Sequence, residues 1–206
     1  MLKCNRKTLA WQQEKSIRIA DAVESRLKAK GITIRNVNVK DINNEAKRIQ
    51  KVYNDAWEEN WGFVPFTDAE FEYLKNDLKM LLDPAFAYIA EKDGVPIGFG
   101  ITLPNINEIL IKNKRGRLFP FGIFRLLFGK KKTKTVRVLA LGVVEQYRKM
   151  GIEAVFFAKN IQETKRRGLV GGEASWVLEN NEPMKAAAEH LNGERYKTYR
   201  LYKMPV

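Results

Sequence analysis

Asp93-Gly94 separates two β-rich runs, residues 86–92 and 95–103. A dipeptide that takes positive φ angles this easily marks a two-residue hairpin turn. Further on, residues 135–144 are again β-rich, 146–167 have helical spacing with Gly168 as a stop, and 172–177 read as a short apolar strand. A hairpin joins antiparallel strands, whereas a strand-helix-strand unit joins parallel ones, because only a long crossover can return the chain in the same direction. This chain has both, which predicts a mixed sheet flanked by helices.

The other segments fit around that sheet. Leu9, Ile17, Ala20, Val23 and Leu27 recur at roughly helical spacing before Gly31, which predicts a leading helix and sets residues 1–31 apart as an N-terminal helical extension of a domain over 32–206. Residues 32–37 alternate as a strand, and Asp41 is placed to cap a helix to about residue 59. Thr67 and Glu70 have capping-box spacing for a helix that stops at Asp83-Pro84. Asn180-Asn181-Glu182-Pro183 opens a further helix to about residue 191, after which 195–204 returns as a strand. The order β-α-α-β-β-insertion-β-α-β-α-β describes an α/β (α+β mixed) domain, with residues 104–134 inserted before the third β-rich run.

Composition narrows the function classes. A chain of 206 residues with 45% hydrophobic and 30% charged residues can fill one core, and it holds no run of the roughly 20 apolar residues that a membrane helix needs. Met1-Leu2-Lys3-Cys4-Asn5 lacks the apolar stretch of a signal peptide, and one cysteine forms no internal disulfide, so a cytoplasmic location is expected. His190 alone makes no His-rich metal site, and no metal is inferred. The formal charge of +13 attracts polyanions such as nucleic acid, anionic lipid or a phosphorylated cofactor. The cations are spread over 112–134, 148–149, 165–167 and 195–203 without a nucleic-acid-binding motif, so nucleic acid is not the expected partner.

The stretch Val143-Val144-Glu145-Gln146-Tyr147-Arg148-Lys149-Met150-Gly151-Ile152-Glu153-Ala154 carries a strand through a basic, glycine-containing turn into a helix. Free N–H groups at a helix start point at an anion, the macrodipole favours negative charge, and a glycine lets the backbone approach a phosphate. Arg148 and Lys149 add charge-assisted contacts. An ordinary strand-to-helix connection with a solvated basic surface is the alternative.

Arg148-Lys149-Met150-Gly151-Ile152-Glu153 resembles the pyrophosphate turn of the GNAT superfamily, written Q/R-x-x-G-x-G/A, and the order of elements on both sides is similar over residues 32–205. The resemblance implies the GNAT fold, with a central mixed, mainly antiparallel twisted sheet flanked by helices, and acyl transfer from acetyl-CoA or a longer acyl-CoA to an amine or amino-acid-like acceptor. The cofactor would be held by Leu141, Val143, Val144, Arg148, Lys149, Met150, Gly151, Ile152, Glu153, Ala154 and Asn181. Asn181 is equally a helix cap. Two positions depart from the family pattern: Glu153 stands at the final Gly/Ala, and Ala188 stands where many relatives have a general-acid tyrosine. They suggest a catalytically silent CoA-binding module as the main alternative, and the positive charge suggests a membrane-surface or polyanion-binding protein as a further one. The block Tyr53-Asn54-Asp55-Ala56-Trp57-Glu58-Glu59-Asn60-Trp61-Gly62-Phe63-Val64-Pro65 is similar to one in an uncharacterised bacterial GNAT-like group whose members often carry a further domain upstream.

By the same resemblance, the loop after the second helix lines an acceptor pocket with Trp57, Glu58, Trp61 and Phe63. Aromatics beside carboxylates suit a cationic amine, although Trp57 and Trp61 also fit as a simple cover for the core. Backbone N–H groups at 141–144 are placed to stabilise an oxyanion. Glu173, or a water chain to the carboxylates near Glu58, is the candidate base, and Tyr196, Tyr199 and Tyr202 are candidate proton donors, Tyr199 foremost, or equally packing residues of a C-terminal strand. The insertion centre, Leu118-Phe119-Pro120-Phe121-Gly122-Ile123-Phe124-Arg125-Leu126-Leu127-Phe128-Gly129, is apolar and bracketed by cations. Three occupants suit residues 117–132: an anionic membrane surface, a long acyl chain, or the protein itself, as a helix on the sheet or on a second subunit of a homodimer.

Overall fold

Asp93 and Gly94 adopt φ of 51° and 81°, the paired positive angles of a tight hairpin turn, and join strands β3 (Ala87–Lys92) and β4 (Val95–Pro104). The computed structural model describes residues 2–5, 10–58, 63–113, 117, 122–175, 177–190, 193–200, 202 and 204. Around the hairpin, β1 (Leu2–Asn5), β2 (Ile32–Asn36), β5 (Thr135–Val143), β6 (Gly171–Ala174) and β7 (Glu194–Arg195) complete one sheet. Its order is β2-β3-β4-β5-β6-β1-β7, with β5 and β6 parallel and every other pair antiparallel. The sheet is therefore mixed, as the hairpin and the crossover require, and mainly antiparallel.

The helices are α1 (Ala10–Ala29), α2 (Ile42–Trp57), α3 (Asp68–Leu81), α4 (Asn107–Leu110), α5 (Gly122–Gly129), α6 (Ile152–Arg166) and α7 (Glu182–His190). They divide the core between the two faces of the sheet. On one face Ala20 and Leu27 of α1 meet Ile152, Val155 and Phe156 of α6 over Tyr88, Ala90, Ile97 and Val143. On the other, Ile49, Val52 and Ala56 of α2 cover Ala87, Ile89, Phe99 and Ile101.

Four expectations need correction. Residues 1–31 are no extension: β1 pairs with both β6 and β7, and Leu27 is fully buried, because α1 supplies the apolar cover that one face of α6 needs. Asp41 does not cap α2. A 3-10 turn over Val39–Asp41 precedes that helix, capped by the Asn38 side chain, and Asp41 accepts from Asn44 instead. The helix expected from 146 starts at Ile152, because Lys149 and Gly151 take φ of 64° and 93°, which no right-handed helix accommodates. The C-terminal strand shrinks to Glu194–Arg195, which finds only the short β1 to pair with. The Thr67–Glu70 capping box forms in full, and Gly168 stops α6 at φ 68°.

An ion network ties α2 to the sheet. Arg35 on β2 donates to both oxygens of Glu45 on α2 (2.8 Å each) and to Glu91 on β3, and Arg48 also reaches Glu91 (2.7 Å). Burial pushes the Glu45 carboxyl up, but hydrogen bonds from Arg35 and the Asn38 amide outweigh it and hold the group below its ordinary range.

Candidate active site

Strands β5 and β6 run side by side only from Thr135 to Val138, opposite Gly171 to Ala174, whereas β5 continues to Val143. Beyond Val138 the side of β5 turned away from β4 therefore has no strand partner among the described residues. The Val144 amide donates to the Ile97 carbonyl of β4 (2.9 Å). Backbone groups alternate sides along an antiparallel strand, so with Val143 opposite Gly98 and Leu141 opposite Gly100, the amides of Val143 and Leu141 point into the opening. Of the expected backbone donors, Leu141 and Val143 are brought to the gap; Val144 is not, because β4 takes its amide. A register shift between Ile101 and Thr102 leaves Leu139 as an extra residue where the strands part.

The chain then enters the basic turn. Left-handed Gly151 followed by right-handed Ile152 bends successive amides into a concave, anion-seeking nest at the start of α6, and the first amide to find an intrahelical carbonyl is that of Val155 (3.2 Å to Gly151). A Cβ on Gly151 would lie 2.8 Å from Val23 of α1, so the glycine serves helix packing as well as the turn. Arg148 is exposed like Lys149, but it is tied back to the backbone. Its guanidinium donates to the carbonyls of Ala56 (2.8 Å) and Val143 (3.3 Å), tying the end of α2 to the end of β5. The exposed Lys149 carries the outward charge. Arg26 of α1 is added from a distance in sequence that no motif covers: it reaches the Met150 carbonyl (3.4 Å).

Glu153 sits within the nest. Burial pushes its carboxyl above the ordinary value, opposed by a hydrogen bond from its own amide and by the nearby Arg148. A carboxylate thus stands at the helix start. Ala154 occupies the next position of the same first turn. Asn181 caps α7 through a hydrogen bond from the Met184 amide to its side-chain oxygen (3.1 Å), and Ala188 is buried in that helix.

The face of the sheet covered by α2 carries the rest. Tyr53 is the hub of an aromatic cluster, 4.6 Å from Trp57, 5.6 Å from Phe63 and 5.0 Å from Phe66, centroid to centroid. A Cβ on Gly142 would lie 3.1 Å from the Trp57 indole nitrogen, so this glycine lets the indole rest against β5 beside the opening. Trp57 and Phe63 are half-buried in the cluster, Glu58 is exposed at the end of α2, and Trp61 lies outside the described residues.

Register puts Arg137 on the α2 face, because it lies opposite Leu103, which belongs to that core. Its parallel neighbour Glu173 shares the face. There Glu173 pairs with Arg137 (3.3 Å), accepts from Ser175 (3.4 Å) and accepts the Tyr196 phenol (2.6 Å). Desolvation, then the bond to Glu173, pushes the Tyr196 hydroxyl up to about 12. Tyr196 is the tyrosine brought to Glu173, and Tyr199 is more than half exposed. Arg137 and Ser175 entered no sequence motif; only strand register shows that they meet Glu173.

This combination of sheet, opening and turn is the fold of the GNAT acetyltransferases. The aminoglycoside acetyltransferase AAC(6')-Iy, solved with the bisubstrate analogue CoA-S-monomethyl-acetylneamine, aligns with a TM-score of 0.53 at 15% identity, covering 85% of this chain and 99% of that one. No family model matches the sequence. The chain is similar to Protein YghO of Escherichia coli (strain K12), with 36% identity over 204 residues that cover 95% of this chain and 52% of that protein. It is also similar to Bacterial ceramide synthase of Caulobacter vibrioides, with 34% identity over 179 residues that cover 84% of this chain and 46% of that protein. The chain spans about half the length of these curated relatives.

Proposed function

We propose that this chain is an acyl-CoA-dependent N-acyltransferase domain that forms an amide between an acyl group and an amine. The observation that carries the proposal is the opening beyond Val138, where the Leu141 and Val143 amides point into the gap and β5 leads straight to the nest at Gly151. Those amides would hold the pantetheine arm and the developing oxyanion, and the first-turn amides of α6 with Lys149 would hold the pyrophosphate. Ile152, expected among the cofactor ligands, is fully buried against α1, and Met150 packs on the same core, so these two would brace the turn and not touch the cofactor. The thioester supplies an activated acyl carbon and a thiolate leaving group. Glu173, held by Arg137 and Tyr196, takes the proton of the incoming ammonium, and Trp57 and Phe63 shelter the reaction from water. The proposal includes a cytoplasmic site of action.

The name of the Caulobacter relative supports a longer donor and a long-chain amine acceptor, since a ceramide is the N-acyl derivative of a long-chain amino alcohol. The test is to incubate the purified chain with acetyl-CoA or palmitoyl-CoA and a series of amines, with free thiol and amide product read together. Amide formation with a preference for the longer donor is expected. Thiol release without amide in every pairing would overturn the transfer reading. A second reading rests on Glu153 and Ala188: a CoA-binding module without turnover. It predicts CoA binding by calorimetry together with no amide product from any pair.

A further inference from the structure

The insertion carries an apolar surface that the fold leaves uncovered. Phe124 and Phe128, one helical turn apart on α5, are 56% and 70% exposed, and Ile111 after α4 is 76% exposed. Soluble proteins tolerate single exposed apolar residues but seldom cluster large aromatics in water. These two phenylalanines line an open depression of about 630 Å³ between α4 and α5, together with Ile109, Lys112 and Lys132. Lys130 lies beside it with its ammonium on the Met80 carbonyl (2.8 Å), and Met80 is itself about half exposed. The carboxylate in the depression is already engaged: Glu108 accepts from the Lys134 and Thr135 amides (2.9 Å each) and from the Thr135 hydroxyl.

We propose that the α4–α5 insertion docks the protein onto an anionic lipid bilayer, with Phe124 and Phe128 entering the interface and Lys112 and Lys132 meeting the headgroups. Charge selects this occupant. The aromatic pair is flanked by lysines, the local carboxylate is turned inward onto two backbone amides and a hydroxyl, and the chain carries a net charge of +13. An apolar face with a cationic rim is complementary to a negatively charged membrane surface. The docking is peripheral, and no helix among the described residues is long and apolar enough to cross a membrane.

The full chain is floated with vesicles of phosphatidylcholine alone or with about one third phosphatidylglycerol, at about 50 mM and about 500 mM salt, since the higher salt screens headgroup attraction. Binding to the anionic vesicles at low salt, lost at least fivefold at high salt, is expected. Phe124→Asp and Phe128→Asp should each weaken it about tenfold while leaving the melting temperature unchanged, because both side chains already face water. Lys112→Glu with Lys132→Glu should weaken it about tenfold at low salt only. No flotation at low salt overturns the proposal, as does equal binding by the phenylalanine variants. A marked fall in melting temperature would place the rings against the protein, and a dimer dissociated by Phe128→Asp in sedimentation would make a second copy the occupant; either result overturns it.

Discussion

Glu153→Gln should tighten coenzyme A binding, and the gain should depend on pH. The Glu153 carboxyl lies in the first turn of α6, accepts from its own amide and is pushed above the ordinary 4.5 by burial. In its ionised form it would present like charge to a pyrophosphate arriving at the proposed nest. Two unit charges about 4 Å apart interact by about 1 kcal/mol in water and about 4 kcal/mol at the effective dielectric of a protein surface. The side chain is partly open to solvent and can turn outward, so about 1.5–3 kcal/mol of repulsion is relieved, or about 10–100-fold in affinity. Calorimetric titration with CoA at pH 8 reads this directly. As pH falls through the raised folded pKa, Glu153 is neutralised and the wild-type affinity should approach that of the variant; CoA's own phosphates titrate in both proteins and cancel in the ratio. Stability follows the same sign. A carboxyl whose folded pKa is raised costs stability as pH rises through that value, so the glutamine variant should be no less stable at pH 7. Equal affinities at pH 8, or a gap that does not narrow as the pH is lowered, would refute the reasoning. Failure of both proteins to bind CoA would refute the cofactor assignment instead.

Arg148→Ala should lower the melting temperature by several degrees, because two backbone carbonyls lose a cationic donor worth about 1–2 kcal/mol in all. Lys149→Ala should leave the melt unchanged and weaken CoA about fivefold by calorimetry. Glu173→Gln should slow amide formation about 100-fold in a thiol-release assay while retaining fold and CoA affinity; an unchanged rate would remove Glu173 from the chemistry. Glu45→Ala should destabilise by about 2–4 kcal/mol in urea at pH 7, since it strands Arg35 in a part-buried network. Because the folded Glu45 pKa is lowered, the stability that the wild type draws from this pairing is present above the ordinary carboxylate range and is lost as pH falls through the folded value.

Local chemistry made part of this protein legible without coordinates. The hairpin at Asp93-Gly94, the capping box at Thr67 and the stop at Gly168 each depend on a few adjacent residues whose backbone preferences leave little choice. The mixed sheet followed from connection lengths, and the basic turn before α6 from residue order along a dozen positions. What depends on distant partners was not legible. Arg148 has the right type and place for a phosphate ligand, yet its guanidinium turns to the Ala56 carbonyl, 92 positions away in the chain. Val144 lies in the expected stretch of donors, but pairing with Ile97 takes its amide, and the parity of that one bond decides that Leu141 and Val143 face the opening. Tyr196 rather than Tyr199 meets Glu173, because the chain leaves regular pairing after Arg195 and periodicity no longer aims the side chains. In the insertion, composition alone left membrane, acyl chain and protein open as occupants of the same aromatic segment. Only the packing of α4 and α5, which turns Phe124 and Phe128 to water, showed which side chains the fold itself leaves uncovered. Sequence thus determined the elements and their order, since short-range backbone energetics act there, and tertiary structure decided every contact, since burial and hydrogen-bond satisfaction are settled only when remote segments compete for the same groups.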